Sequence, residues 1–481
     1  SLEEVAINED KPIYELKMEK IIYNAENDLN ESLDDAADVL RKTPLLSVDM
    51  EGEVSLRGSK NVKFLVNGKE STFFSGNPAD ALKMIPADEI KSVEVITSPT
   101  AKYDGEGQAG IINIVTKGKQ ITGFNATVNG SFGTRVNRQS FNLNIGKGKI
   151  GFSSRAMLRY GWPLGGKGYS FTENTTEGTT FLQQYNTLGQ WIGFGGNSEI
   201  YYDINPYNSI VSSFGFRGQK QTGTEWAKDS LYSRVFDVIH DKDPIVNLLQ
   251  GLSDQIDTTR ITDSRKFDNT FEWTTDYVKK FADHEDRELR MAFQLGGEVH
   301  DDDTWVYNYQ QRILQDSTIN KNDALPLSKT LQLDYTHPVE DKHTIEFGGK
   351  YIDRDMVTHY STLRNGIYTQ SYEQFDYNQK VKAAYLNTKW ELSKEYSLVA
   401  GVRLENTTIT GQWNSQVAGK WEPNKKIPVT NNYTTLLPSF ILNKKIDMMS
   451  SIKLSYGKRL SRPGIHYINT NTVPSNELSR E

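Results

Sequence analysis

The chain has 481 residues, a formal net charge of −7, 24 Tyr, 20 Phe and 8 Trp, and no cysteine. The absence of cysteine excludes disulfides, thiol catalysis and zinc–thiolate sites, and the acidic balance argues against nucleic acid as a partner. A hydrophobic fraction of 36%, with no apolar run long enough for a membrane helix, excludes a helical membrane protein but suits a β-barrel.

Residues 1–120 are predicted to form one small mixed α/β domain. A helix is predicted in ESLDDAADVLRK, with Ser32 or Asp34 as its N-cap, and it ends at Thr43-Pro44 because proline disfavours a helical residue before it. A second helix is predicted to begin at Pro78. Strands are predicted in LSVDM, EVSLRG, KFLVNGK, SVEVITS and IINIVTK.

From Gly123 onward, apolar and polar residues alternate in about thirteen segments of roughly ten to fifteen residues. In KFDNTFEWTTDYV, for example, Phe267, Phe271 and Trp273 alternate with polar residues. A tilted strand of about ten residues crosses the hydrocarbon layer, so the pattern predicts a transmembrane antiparallel β-barrel. A soluble sandwich or propeller is the alternative, but strands of soluble sheets average only about five or six residues.

Two kinds of connection are predicted between these segments. HPVEDKH and SKEY are short turns. Long polar stretches are predicted to be loops on the opposite side, as in outer-membrane barrels, at 163–190, 220–264, 301–326 and 357–378.

Two runs, VSLRGSKNVKFLVNGKES and ALKMIPADEIKSVEVITSPTAKYDGEGQAGIINIVTK, resemble the plug of TonB-dependent receptors, in particular the outer-membrane β-barrel receptors of Bacteroidetes. Leu460-Ser461-Arg462-Pro463 resembles a barrel motif of the same group. Asn67 stands where many receptors carry Asp, and both residues tolerate the turn. The plug-motif residues are Arg57, Gly58, Asn67, Gly68, Glu94, Pro99, Tyr103, Gly107 and Gly110. Five plug glycines are expected to serve turns with positive φ: Gly58, Gly68, Gly105, Gly107 and Gly110.

The resemblance implies a mainly β fold, a transmembrane antiparallel β-barrel with a small α/β plug domain in its lumen. Residues 1–12 would be a TonB-box-like segment, 13–121 the plug and 122–481 a partial barrel. It implies TonB-dependent uptake of a bulky solute (siderophore–iron, cobalamin or oligosaccharide) across the Gram-negative outer membrane, with no enzyme activity and no cofactor. A passive or structural barrel, or an adhesin, is the alternative.

The resemblance also implies partners. TonB would pair with an extended segment, for which the candidate residues are Leu2, Glu3, Glu4, Val5, Ala6 and Ile7; a disordered chain end is the other interpretation. The other expected partners are outer-membrane lipid and an extracellular small-molecule or oligosaccharide ligand, and a surface lipoprotein is left open. Four aromatic residues of the predicted loops could stack on that ligand: Tyr169, Tyr185, Trp226 and Tyr232.

Several motifs suggest chemistry that the sequence does not support. GEGQAG matches G-x-G-x-x-G, but a strand-like IINIVTK follows where a dinucleotide site needs a helix. His300-Asp301-Asp302-Asp303 suggests a cation, but consecutive strand residues point to opposite faces and rarely converge on one ion, so a solvated loop start is predicted instead of a metal site. A calcium site is the alternative interpretation. Arg57 and Glu94 are instead expected to pair with barrel charges and hold the plug in place.

The size of the plug predicts that the barrel is incomplete. A plug of about 110 residues is roughly 30–35 Å across, whereas fourteen tilted strands enclose a barrel of only about 28 Å. About 22 strands would be wide enough. We therefore expect about eight further strands, with Glu481 as a truncation point.

Overall fold

The computed structural model describes residues 12–28, 35–49, 52–70, 78–83, 85, 87, 90–106, 109–117, 123–174, 179–234, 252–340, 342–365, 367–368, 373–417, 420–423, 428–446, 450–460, 474–476 and 479–480. They form a small N-terminal domain and a large antiparallel sheet. None of the helices among these residues has the length and apolar character needed to cross a membrane. The predicted TonB-box segment and Gly107 lie outside the described residues.

The N-terminal domain has a six-stranded sheet in the order β1-β2-β7-β8-β5-β6 and a separate β3–β4 hairpin. Its strands are β1 (Tyr14–Leu16), β2 (Ile21–Tyr23), β3 (Leu46–Val48), β4 (Val54–Leu56), β5 (Val62–Val66), β6 (Lys69–Glu70), β7 (Ile90–Ile96) and β8 (Gly110–Thr116). A 3-10 turn covers Ala25–Asn27, and the helices are α1 (Ala36–Arg41) and α2 (Pro78–Lys83). Tyr23, Leu40, Leu82, Val93 and Ile112 are fully buried together, so the domain has its own core.

The start of α1 differs from the prediction. Asp35 is the N-cap, and its side chain accepts a hydrogen bond from the backbone N–H of Asp38 at 3.2 Å. Ser32 and Asp34 were therefore the wrong caps, because Asp and Ser are equally good caps and the sequence does not distinguish neighbouring candidates. Helix α2 begins at Pro78 as predicted.

The large sheet contains sixteen strands, of which thirteen follow one another as antiparallel neighbours and three pair beside that path. They are β9 (Gly123–Ser131), β10 (Val136–Lys147), β11 (Ile150–Gly161), β12 (Leu164–Asn174), β13 (Thr179–Asn205), β14 (Asn208–Arg234), β15 (Leu252–Phe281), β16 (His284–Gln310), β17 (Ile313–Val339), β18 (His343–Arg364), β19 (Ile367–Tyr368), β20 (Glu373–Glu391), β21 (Tyr396–Val417), β22 (Lys420–Pro423), β23 (Val429–Lys445) and β24 (Ser451–Gly457). A separate hairpin joins β25 (Pro474–Asn476) and β26 (Ser479–Arg480).

Strands β11 and β12 both pair with β13, one after the other, so they act as one strand interrupted at Trp162-Pro163. Proline has no N–H to donate to the ladder, which explains the interruption. The path of thirteen strands agrees with the number of alternating segments predicted.

The long polar stretches that were predicted to be loops lie largely within strands, and that prediction was wrong. Strand β15 has 30 residues, and β13, β14, β16 and β17 have 27 each. A strand that continues beyond the hydrocarbon layer meets water on both faces, so its residues are polar at every position and the alternation disappears. The short turns are confirmed, because β17 ends at Val339 and β18 begins at His343.

Strand β21 shows which side of the sheet meets which environment. Val402 and Leu404 are 38% and 50% exposed, whereas Arg403 and Glu405 are 2% and 1% exposed. A sheet in water buries its apolar face instead. The side that carries Arg403 and Glu405 contacts the N-terminal domain, and we call it the inner face; the opposite, outer face has the apolar character of a lipid-facing surface.

The two edge strands of the large sheet, β9 and β24, are exposed along their whole lengths. Within the part of the chain that the structure describes, each pairs with a neighbour on one side only. Within the described residues the large sheet is therefore open rather than a closed ring.

Candidate functional site

The N-terminal domain is bound to the inner face chiefly by charged groups, and Asp104 is the centre of the most buried set. Its Oδ1 accepts a hydrogen bond from Nη2 of Arg403 at 2.7 Å, and its Oδ2 accepts one from Nζ of Lys350 at 2.6 Å. Lys63 of β5 lies 3.6 Å from the same carboxylate. Because Asp104 is only 9% exposed, loss of one partner would leave a charge with little access to water.

Glu405 extends this set to the backbone of the N-terminal domain. Its Oε1 accepts a hydrogen bond from Nε of Arg403 at 2.5 Å and another from the N–H of Gly105 at 3.2 Å. The carbonyl of Gly105 in turn accepts the N–H of Leu460 at 2.8 Å. We call Asp104, Gly105, Lys350, Arg403 and Glu405 the Asp104 anchor.

Gly105 is required by space at this point. A Cβ there would lie 2.7 Å from Cδ1 of Leu437 and 3.2 Å from Oε2 of Glu405. In the sequence this glycine belongs to the G-x-G-x-x-G match, and in the structure it permits close approach of the loop to the large sheet.

Weaker contacts lie around the Asp104 anchor. Lys102 is 3.3 Å from Glu346 of β18, which also accepts a hydrogen bond from Asn387 at 2.9 Å. Ser98 donates a hydrogen bond to Ser455 of β24 at 3.0 Å. These contacts extend the polar interface across the inner face.

A second set, the Lys69 anchor, consists of Lys69, Asp276 and Arg290. Lys69 follows the Asn67-Gly68 turn and forms an ion pair with Asp276 of β15. Asp276 also accepts a hydrogen bond from Nε of Arg290 at 3.2 Å. Burial lowers the pKa of the Lys69 ammonium, and the Asp276 carboxylate opposes that shift.

Two cavities lie beside the anchors. One of about 480 Å³ separates the N-terminal domain from the inner face, with Asn67, Lys69, Arg155, Glu199 and Asp276 among its lining residues. A second, of about 170 Å³, reaches from Lys69 to Asp104. The charged and amide groups among their lining residues allow water to reach both anchors, and water can replace an ion-pair partner when the domain moves.

The predicted plug glycines are only partly explained by backbone conformation. Gly58, Gly68 and Gly110 have positive φ, as predicted. Gly105 is not among the residues with positive φ, so that expectation was wrong for it. Asn67 also has positive φ, and its side chain bonds Thr116.

The expectation that Glu94 holds the domain to the large sheet was wrong, and for Arg57 it stays a prediction. Glu94 pairs within the domain, with Lys20 at 2.7 Å and Asn113 at 2.9 Å. Arg57 occupies an exposed turn with a φ of 50°, and no ion pair to it is found in the described segments. Asp104, Lys102 and Lys69 make those contacts instead.

Tyr103 and Pro99 lie in the same loop as Asp104. Tyr103 packs against Leu65, Ile96 and Ile111, and burial raises the pKa of its hydroxyl. Pro99 follows Ser98, which contacts β24. These predicted residues therefore shape the loop that carries the anchor.

The four aromatic ligand candidates do not converge. Tyr185 lies opposite Gly168 and Ala227, whereas Tyr169 lies opposite Gln184 and Trp226 opposite Asn186. Because strand residues alternate between faces, Tyr185 is on the face opposite to Tyr169 and Trp226. Tyr232 belongs to β14, but its side chain is outside what the structure describes.

Sequence reasoning missed an aromatic cluster on the inner face. Phe375 and Trp413 pack with ring centroids 4.8 Å apart, and Tyr377 and Tyr433 contact the same group. Register places Phe375 opposite Trp413 on the face that carries Arg403. The sequence does place Phe375 and Tyr377 two residues apart, the spacing that puts side chains on one face of a strand. The two residues fell in a stretch that was predicted to be a loop, so this pattern was not used.

Family models match both parts of the chain. Residues 15–111 match the TonB-dependent Receptor Plug Domain, and residues 279–480 match the Outer membrane protein beta-barrel family. Among curated proteins, none matches the chain.

Solved structures also resemble the chain at low identity. The ferric yersiniabactin uptake receptor FyuA from Yersinia pestis is 12% identical, with 92% of this chain and 85% of that chain covered and a TM-score of 0.35. The alcaligin outer-membrane receptor FauA from Bordetella pertussis is 11% identical, with 92% and 88% covered and a TM-score of 0.32. A ferric enterobactin receptor mutant from Pseudomonas aeruginosa, in complex with enterobactin, is 10% identical, with 92% and 94% covered and a TM-score of 0.31.

Proposed function

The chain is a TonB-dependent receptor of the Gram-negative outer membrane, with the N-terminal domain as its plug, and from that premise we propose that TonB-driven movement of the plug imports a bulky extracellular solute. Siderophore–iron, cobalamin and oligosaccharide remain the candidate solutes.

The observation that supports this proposal most is the polar character of the plug's attachment. The plug keeps its own apolar core, while its links to the barrel wall are ion pairs such as Asp104–Arg403 and Lys69–Asp276. An apolar interface would resist reopening in water, whereas charged groups beside polar cavities can exchange their partners for water. A plug attached in this way can be released and reset without losing its fold.

A passive or structural barrel is the competing function. A permanent seal would need no polar cavity at the plug and no energy source. The two functions differ in one measurable respect, because only active import depends on TonB.

The decisive experiment is uptake by a strain that lacks the native gene and carries the chain on a plasmid. Labelled ferric siderophore, cobalamin and oligosaccharide are offered in turn, with and without TonB. We expect accumulation of one solute class, lost without TonB. Equal accumulation in the two backgrounds would favour the passive barrel, and no accumulation of any class would contradict the import proposal.

The segment that contacts TonB is tested in the same strain. If Leu2–Ile7 adds a strand to TonB, Val5→Pro should abolish uptake because proline cannot donate a hydrogen bond to the new ladder. Val5→Thr keeps a β-branched residue and is the matched control, with uptake expected to be retained. Unchanged uptake by the Val5→Pro variant would remove this segment from the proposal.

We also propose that Tyr185 is, of the three aromatic candidates whose side chains the structure describes, the one positioned to meet the solute, since it lies on the inner face. Tyr185→Ala should weaken solute binding, while Trp226→Ala, on the outer face, should not. An equal loss of solute affinity in both variants would show that the face of the sheet does not decide which residues contact the solute.

A further inference from the structure

Strands β15 and β16 bring together a set of metal-ligand side chains that no consecutive motif contains. Asp268 lies directly opposite His300 in the register, and Glu298 precedes His300 by two residues on the same face. Donor atoms of the three side chains all lie within 4.8 Å of one another. Nδ1 of His300 is hydrogen-bonded to Oδ1 of Asp268.

The charges of this set are not balanced internally. Oδ2 of Asp268 accepts a hydrogen bond from Gln219 at 3.2 Å and lies 3.5 Å from Nζ of Lys266. Glu298 is half-buried, and its side chain has neither a hydrogen bond nor an ion pair in the described part of the chain. Its carboxylate lies beside that of Asp268, and a bound cation would relieve the repulsion between the two carboxylates.

We propose that Asp268, Glu298 and His300 bind one divalent transition-metal ion, such as Zn²⁺. An imidazole nitrogen with two carboxylate oxygens is a donor set that Zn²⁺ accepts, whereas Ca²⁺ and Mg²⁺ prefer oxygen ligands alone. Three protein ligands leave a coordination position for water or for a donor atom of a bound molecule.

The neighbouring acidic set supplies a natural comparison. Asp301, Asp303 and Asp323 also cluster, but on the outer face, and they offer oxygen donors only. Arg265 already provides their cation, because it is hydrogen-bonded to Asp303 and lies 3.6 Å from Asp301. The residues around His300 thus form two sets on opposite faces: a mixed set in which the Glu298 side chain has no ion-pair partner in the described residues, and an acidic set that Arg265 contacts.

The position of the mixed set makes it accessible. Asp268 lies about 26 Å along β15 from Asp276, which contacts the plug, and in the direction away from the short turn at 282–283. Short turns face the periplasm in outer-membrane barrels. The metal site therefore lies on the inner wall towards the extracellular mouth, where an ion from the medium can reach it.

The test is calorimetric titration of the full chain in detergent, after chelator treatment, with Zn²⁺, Ca²⁺ and Mg²⁺ separately. We expect one Zn²⁺ per chain with micromolar or tighter affinity. Glu298→Gln and His300→Gln should each weaken binding at least tenfold, while Asp323→Asn should leave it unchanged.

Glu298→Gln changes one atom and should not affect folding, so it keeps the test valid should the histidine variant fold poorly. Absence of a stoichiometric Zn²⁺ site, tighter binding of Ca²⁺, or an equal loss in Asp323→Asn would each overturn the proposal. Zn²⁺ binding does not require transport, so the outcome is independent of the uptake experiments.

Discussion

Asp104→Asn is the perturbation that most directly probes attachment of the plug. The substitution keeps the shape of the side chain but removes the negative charge that meets Arg403 at 2.7 Å and Lys350 at 2.6 Å. Removal of one partner from a buried ion pair costs roughly 3–5 kcal/mol. We expect the lower end, about 3 kcal/mol, because Arg403 keeps Glu405 and the adjacent cavity is polar.

The assay is pulse proteolysis of the detergent-solubilised receptor in increasing urea, with loss of intact plug as the signal. With an m value of about 1.5 kcal/mol per molar urea, a loss of about 3 kcal/mol lowers the midpoint of plug unfolding by about 2 M. Asp38→Asn is the matched control, because the Asp38–Arg41 pair lies within the plug with its side chains 28% and 43% exposed. An exposed pair contributes less than about 1 kcal/mol.

The double variant Asp104→Asn/Arg403→Gln separates the ion pair from other effects of the asparagine. If the two charges act on each other, the double variant should be less destabilised than the sum of the single variants. A midpoint for Asp104→Asn equal to that of Asp38→Asn, or additive single effects, would refute the reasoning.

Three further variants test other parts of the arrangement. Gly105→Ala should destabilise the plug by about 1–3 kcal/mol in the same assay, since the new methyl group meets Leu437 at 2.7 Å. Gly457→Ala is the control and should leave the plug midpoint unchanged, because its φ is not positive and no atom lies within 4 Å of the new methyl group. Lys69→Met should change plug stability by less than about 1 kcal/mol, because it removes a desolvated ammonium while Asp276 keeps its contact with Arg290. A loss of stability as large as that of Asp104→Asn would contradict this expectation. Leu333→Arg, on the outer face, should cost about 2–4 kcal/mol of barrel stability in lipid and reduce the folded fraction on gels, whereas Gln332→Arg, on the inner face beside Asp334, should not.

Alternation in the sequence predicts the faces of the large sheet but not what each inward residue meets. In YSLVAGVRLE, Arg403 and Glu405 alternate with the apolar Val402 and Leu404. This alternation is enough to place the two charged residues on the other face of the sheet from Leu404. Their contact with Asp104 crosses 299 positions of sequence. No local pattern carries such a pairing, because it depends on how two separately folded parts fit together.

The metal-ligand set shows the same limit in a second way. The rule that consecutive strand residues diverge is correct for His300, Asp301 and Asp302. The partner strand supplies Asp268, however, and only the register between β15 and β16 places it opposite His300. Register follows from turn length and from pairing along the whole hairpin. Because the polar ends of these strands look like loops in the sequence, the turns at the end of the sheet away from the short turns could not be located.

The alternation around Arg403 also makes a shifted register between neighbouring strands unfavourable. A slip of one residue between β20 and β21 would turn Arg403 and Glu405 towards hydrocarbon and bring Val402 and Leu404 against the charged plug loop. An arginine at the bilayer midplane alone costs about 2–4 kcal/mol. A misaligned hairpin therefore costs free energy in the bilayer whether or not the plug is in place, so the membrane itself favours the register that the interior requires.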